Sequence, residues 1–460
     1  MNKFKKTKRV GSSGIIISIL LIIIIAALGF IYSSSMFERN PPKIGMKSVI
    51  NWNLKKPLKL NLSDDSGIKF VRITLSDGKN SVLLLKKVYT KIAKKQKIEI
   101  TFPRTGFVST KKIFQLSIEV TDSSKWNLLS GNSTTKTVKI KIDRRRPELF
   151  VVNNSYKIIK GGAAVVIFKA TDANLKELYI STNFGKKYYP TPFYKSGYYI
   201  SLIAWPVEQK KFRAYIVATD DAGNMSKVPV RLYLMNKKYR ISNIKLKDNF
   251  LDGKISDLVE QTKPSLSSAT KIEKFKYVNE ELRKKNEDLI EKMTTKTDNF
   301  MISDFYQNRF YPLKNGAAVA SFGDHRFYSY GENQISSAYH LGLDLASIAG
   351  AKIRTQNSGT IVYADMNGIY GNNLIMYHGL GLYTLYGHSS SFLVNVGDIV
   401  KKDQAIANTG ATGLALGDHL HFGVLVQGVE VRPEEWMDKS WMKTNIFDIV
   451  KSSKKLIDRK

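Results

Sequence analysis

Cysteine is absent from all 460 residues. Disulfides, thiolate metal sites and cysteine nucleophiles are therefore excluded, and any metal must be held by His, Asp or Glu. Histidine is scarce, with only six residues to supply every imidazole. Acidic residues are outnumbered, 39 against 72 Lys and Arg, which leaves a formal charge of +33. Such an excess suits anionic partners, but it is unevenly spread. Residues 301–450, which contain all six histidines, hold 10 Lys and Arg against 13 Asp and Glu. The excess belongs to the first 300 residues and the last ten. No nucleic-acid partner is expected. The basic part meets anionic wall or membrane material, or is a lysine-rich solvated surface.

The length argues for two to four domains. At the N-terminus, residues 1–13 carry Lys3, Lys5, Lys6, Lys8 and Arg9, and no charge follows from Gly14 to Tyr32. Those residues, 14–32, would span about 28 Å as a helix, close to the hydrocarbon thickness of a bilayer. They read as an anchor in the cytoplasmic (inner) membrane, with residues 1–13 cytoplasmic and the bulk on the outer or periplasmic side. A cleaved signal peptide is the competing reading, with Ala26-Ala27-Leu28-Gly29 as the cleavage site.

Two stretches, 42–143 and 147–236, read as copies of one β-module. Each has a strand running into an acidic turn, Leu60–Asp65 and Val166–Asp172. Each later repeats alternating text, Leu116–Asp122 against Ala214–Asp220, and then a closing strand. Period-two strands in modules of this size fit small immunoglobulin-like (Ig-like) sandwiches, with a spacer role favoured over ligand binding. Residues 246–300 change period. Ile272, Phe275, Val278, Leu282, Leu289 and Met293 recur at helical spacing in a charged background, with Ser268 as the expected cap. This is a helical connector, either a spacer or a wall against the site. From 311 to 440 the strand period returns with many glycines, giving a compact antiparallel β domain. Residues 441–460 form a basic tail that packs as a helix or frays. The fold class is mainly β.

In the last domain, His340 and Asp344 stand four apart, His388 follows in Tyr-Gly-His, and His419 and His421 form Asp-His-Leu-His. On an extended segment His419 and His421 share a face. With a His-x-x-x-Asp element they offer the nitrogen and oxygen donors zinc accepts, and three protein ligands leave a position for water. Singly, each element is weak. Together they use four of the six histidines. His378 reads as a turn residue, and His325 as a residue that can lie near the groove.

The ordered text resembles the lysostaphin/LytM-type zinc endopeptidases of the bacterial cell wall. It comprises Phe-Gly-Asp-His-Arg at 322–326, His340-Leu-Gly-Leu-Asp344, Gly-Thr-Ile-Val-Tyr-Ala at 359–364, Tyr370-Gly-Asn-Asn, Tyr-Gly-His at 386–388 and Gly-Asp-His-Leu-His-Phe-Gly at 417–423. The resemblance implies one Zn²⁺ held by His340, Asp344 and His421, His419 as general base, and His388 orienting the reactants or stabilising the transition state. It implies a peptidoglycan hydrolase with a LytM-type C-terminal domain. D,D-endopeptidase activity on the D-Ala to diaminopimelate cross-link is favoured over glycyl-glycine cleavage or a carboxypeptidase. Asp403, where the family usually has glycine, lies in a turn away from every ligand. The alternative is a non-catalytic wall-binding scaffold or amidase activator. No particular cell-envelope protein partner is indicated.

Overall fold

The computed structural model describes residues 12–103, 105, 107 and 109–459. Most of the basic segment expected over 1–13 lies outside the described residues. The apolar run is a helix, Ser12–Ser33, whose window Ser13–Ser33 is long and apolar enough to cross a membrane. The chain divides into two compact units, Met1–Arg146 with Asp220–Asn224, and Pro147–Thr219 with Met225–Lys460.

In the first unit the six strands join one sheet, where two facing sheets had been expected over 42–143. The reason lies in the strand Leu58–Ser76. Its register breaks between Ser63 and Ile68, where Asp64 Oδ1 accepts from the backbone N–H groups of Ser66 and Gly67. Leu60, Leu62 and Ile68 are buried on either side of that break, and a second irregularity between Ile68 and Phe70 flips the alternation, so that Val71, Ile73 and Leu75 are buried in the same core. One bent sheet encloses what two would have.

The second module has two four-stranded sheets, one built around Leu175–Thr182 and Ala214–Asp220, the other around Ala163–Thr171 and Tyr198–Ala204. It is not a separate spacer. Its core residues Val165, Leu202 and Ile203 belong to the same buried cluster as Phe422, Val424 and Val431 of the C-terminal domain. Polar ties accompany the packing. Gln427 exchanges two hydrogen bonds with the backbone of Tyr189, at 2.7 and 3.0 Å, and Ala163 N–H donates to Glu435 Oε2 at 3.0 Å.

The connector is also docked. A continuous helical path runs through Lys271–Lys276, a π-turn at Tyr277–Leu282, and Arg283–Thr294. Its cap is Thr270 in a capping box with Glu273, not Ser268. The box satisfies two end N–H groups reciprocally, which Ser268 is too early to do. Phe275, Val278 and Leu282 are buried against Tyr328, Ile369 and Tyr383. Ahead of the helices lies a strand the sequence reading missed, Ile241–Lys245, parallel to His325–Tyr330.

The C-terminal domain is an eight-stranded antiparallel sheet. Its path runs Ala317–Ala320, Leu343–Ala346, Leu420–Val426, Leu382–Ser389, Asn372–Tyr377, Gly359–Met366 and Ile399–Val400, with Val429–Val431 beside Leu420–Val426. The tail is helical, from Lys439–Met442 to Asp448–Asp458, with Met442, Ile446, Val450 and Ile457 buried.

Candidate functional site

Strand alternation builds the site. Along Leu420–Val426 the even positions Leu420, Phe422, Val424 and Val426 fill the core, so His421 takes the opposite face. Leu343 and Leu345 do the same on the neighbouring strand and turn Asp344 to that face as well. The register sets Asp344 directly across from His421. His340 enters just before its strand. His419 lies one residue ahead of its strand, in a bridge with Gly410.

These side chains meet. His340 Nε2 is 3.0 Å from Asp344 Oδ1, His421 Nδ1 is 2.8 Å from the same oxygen, and the two nitrogens are 3.2 Å apart. Ligands about 2.0–2.1 Å from a tetrahedral zinc lie roughly 3.3 Å from one another. The three donors stand within about half an ångström of that spacing, so the set fits the ion. The tautomer fits too. His340 Nδ1 is 2.9 Å from the Ser321 carbonyl, to which it can only donate, and its Nε2 lone pair is left for a metal.

His388 and His419 flank this triad. The His388 ring centroid is 4.8 Å from that of His419 and 5.8 Å from that of His421. His419 Nε2 is 3.8 Å from Asp344 Oδ1. His388 Nδ1 donates to the Thr412 carbonyl at 2.8 Å, and His419 Nδ1 to the Gly417 carbonyl at 2.9 Å. Both rings thereby keep a bare Nε2. His388 holds φ at +62°, a left-handed conformation that non-glycine residues rarely adopt and that re-aims a side chain at a strand end.

The electrostatics follow from burial. Burial alone would raise the Asp344 carboxyl, but hydrogen bonds to His340 and His421 and their fields outweigh it and hold it well below the carboxylate range. Burial, then His421 and His419, push His388 down to about 3. Burial likewise lowers His421. The His388 imidazole is thus neutral near pH 7.

The site opens into a groove of about 1310 Å³. The connector forms one wall with Arg240–Lys247, Phe250, Lys254 and Phe275. Lys254 Nζ reaches the Ala411 carbonyl at 2.8 Å, beside the Thr412 that holds His388.

All five predicted site residues, His340, Asp344, His388, His419 and His421, come together. His325 does not join them: it stacks on Tyr339 at 4.1 Å and lies off the groove that its neighbours Asp324 and Arg326 line. Alternation turned it away. His378 is buried, bonded to Thr384 Oγ1 at 2.7 Å. Sequence reading missed Tyr370, which sets its ring edge-on to His421 at 5.5 Å. It also missed the carbonyls of Ser321 and Thr412. Backbone acceptors leave no mark in a sequence, though Tyr370 stood in text already matched.

Residues 338–433 match the sequence model of Peptidase family M23, and the C-terminal domain is an M23 domain of the lysostaphin/LytM type. Among curated relatives, the chain is 35% identical over 94 residues to the DD-carboxypeptidase/endopeptidase Mpg of Neisseria meningitidis, covering 20% of this chain and 22% of that protein. It is 39% identical over 88 residues to the peptidoglycan DD-endopeptidase ShyB of Vibrio cholerae, covering 19% and 21%. It is 30% identical over 112 residues to the murein hydrolase activator EnvC of Escherichia coli, covering 24% and 27%. The matches thus span only about a fifth to a quarter of these relatives' own length.

Proposed function

We propose that this M23-domain chain is a zinc-dependent peptidoglycan hydrolase that cuts stem-peptide cross-links, with D,D-endopeptidase action favoured. Its N-terminal helix holds it in the cytoplasmic membrane with the catalytic unit outside. One observation carries the reading: His340 Nε2, Asp344 Oδ1 and His421 Nδ1 converge within 3.2 Å of one another on the wall of a groove open to a substrate. The DD-endopeptidase names of the Neisseria and Vibrio relatives support the choice of bond.

In this reading His340, Asp344 and His421 hold zinc, which when bound acidifies a water and polarises the scissile carbonyl. His419, its Nδ1–H tied to Gly417, takes the water's proton at Nε2. His388 is neutral with Nε2 bare, so it accepts a hydrogen bond and orients the water rather than acting as a cation. That supports orientation over transition-state stabilisation as its role. A binding-only role, suggested by the name of the EnvC relative, has no need for three convergent metal donors.

The test is digestion of purified cross-linked muropeptides, with and without a chelator, followed by mass spectrometry. Chelator-sensitive conversion of dimers to monomers is expected. His340→Ala should lose both metal and activity. His419→Ala should keep its zinc and lose turnover by about 10²–10⁴-fold, the usual contribution of a positioned base. Full activity in either variant, or none in the wild type with zinc bound, would sink the assignment.

A further inference from the structure

The strand Ile241–Lys245 pairs on one side only. It is the terminal strand of its three-stranded sheet, parallel to His325–Tyr330, and among the described residues no bridge touches its other edge. The direction of its free groups follows from two hydrogen bonds. Arg240 O accepts from His325 N, and Leu246 N donates to Ser329 O. In a parallel ladder, alternate residues direct both backbone groups to the same neighbour. Residues 240, 242, 244 and 246 therefore serve the sheet. The N–H and C=O groups of Ile241, Asn243 and Lys245 point away from it.

The same strand borders the groove. All of 240–247 line it together with His340, Asp344 and His421. The strand is tied to the metal donors by a short path. Ser242 Oγ donates to Asp324 Oδ1 at 2.8 Å, and the Asp324 carbonyl accepts from His340 N–H at 2.9 Å. A row of unpaired backbone groups is a template for another extended chain. Exposed cations at Arg240, Lys245 and Lys247 stand along it.

We infer that the substrate's peptide arm docks as an added strand on Ile241–Lys245, its carboxylates facing Arg240, Lys245 and Lys247. The inference rests on the hydrolase reading above and adds to it. A segment from outside the M23 domain supplies main-chain recognition, and the preferred substrate is an extended, carboxylate-bearing peptide rather than an uncharged one. Continuity of the edge with the metal site, and the charge beside it, favour that occupant over a second copy of the chain.

The test titrates full-length protein in detergent micelles, stripped of metal so that nothing is cleaved, with an uncrosslinked muropeptide whose stem carries free carboxylates. Asn243→Pro removes one outward N–H and leaves the ladder's own bonds, a position where proline is tolerated on an edge. It should weaken binding about three- to tenfold, the worth of one net hydrogen bond, while Asn243→Ala stays within about twofold. Raising the salt should weaken wild-type binding. Amide hydrogen exchange on the wild type makes the answer independent of how the proline variant folds. Ile241, Asn243 and Lys245 should exchange fast alone and slow on binding. Equal affinity for Asn243→Pro and wild type, or unchanged exchange at these three amides during tight binding, overturns the docking and leaves the hydrolase reading standing. If zinc-loaded wild type neither binds nor cleaves muropeptide, the hydrolase reading fails and this inference falls with it.

Discussion

Gly342 passes so close to the site that a Cβ there would stand 2.4 Å from His421 Nε2 and 2.9 Å from the Phe422 carbonyl. One of those neighbours is strand backbone and the other the ring whose Nδ1 is the proposed metal donor, so neither can yield cheaply. Gly342→Ala is expected to lower zinc occupancy at least tenfold with the fold retained, read by metal analysis after dialysis against buffered zinc. His378 gives a second residue-scale expectation, this one of stability. Burial pushes it down to about 4 from an ordinary 6.5, so between those values the unfolded chain binds a proton that the folded one refuses. The contribution is therefore present above pH 6.5 and is lost as pH falls towards 4, by up to about 3 kcal/mol. Urea unfolding at pH 7 and pH 4.5 should show a steeper loss for the wild type than for His378→Gln.

The connector shows what an element can and cannot reveal about itself. Its helical period named the buried positions Phe275, Val278 and Leu282, but periodicity does not say what an apolar face covers. The face covers the M23-domain sheet and the Tyr370 loop, and Asn286 Oδ1 accepts from Ile369 N–H at 3.0 Å to fix that loop beneath His421. Phe275, 1% exposed and edge-on to Tyr328 at 5.1 Å, should cost about 3–5 kcal/mol on replacement by alanine. Thr270→Ala, which removes only the cap, should cost about 1 kcal/mol. Thermal denaturation of the two variants checks the ranking. Equal small losses would mean that the helix is held less by packing than its burial indicates.

At the scale of the whole molecule, the second module, the connector and the M23 domain share cores and lie in one unit. Residues 301–460 alone would expose Leu425 and Tyr383, which are 0% and 2% exposed in the chain. That fragment is expected to lack a cooperative unfolding transition, whereas 147–460 should unfold as one unit in calorimetry. A stable, active 301–460 would show that the shared cores are dispensable.

The sequence by itself determined the chemistry. Without cysteine, metal donors had to be His, Asp or Glu, and the His-x-His spacing pointed to two imidazoles on one side of an extended run, although His419 stands one residue ahead of the strand itself. It likewise determined the apolar N-terminal helix and the mainly β character, because local periodicity and composition suffice for both. Tertiary structure decided the rest. Only strand pairing could bring Asp344 across from His421, 77 residues later, and only packing could turn His325 away and point Thr412's carbonyl at His388. The first module became one bent sheet because its long strand is broken after Ser63 and bulged between Ile68 and Phe70, where its alternation flips. The second ceased to be a spacer because its apolar surface was completed by another domain's. Contacts between distant segments depend on which surfaces meet, and no local pattern records that.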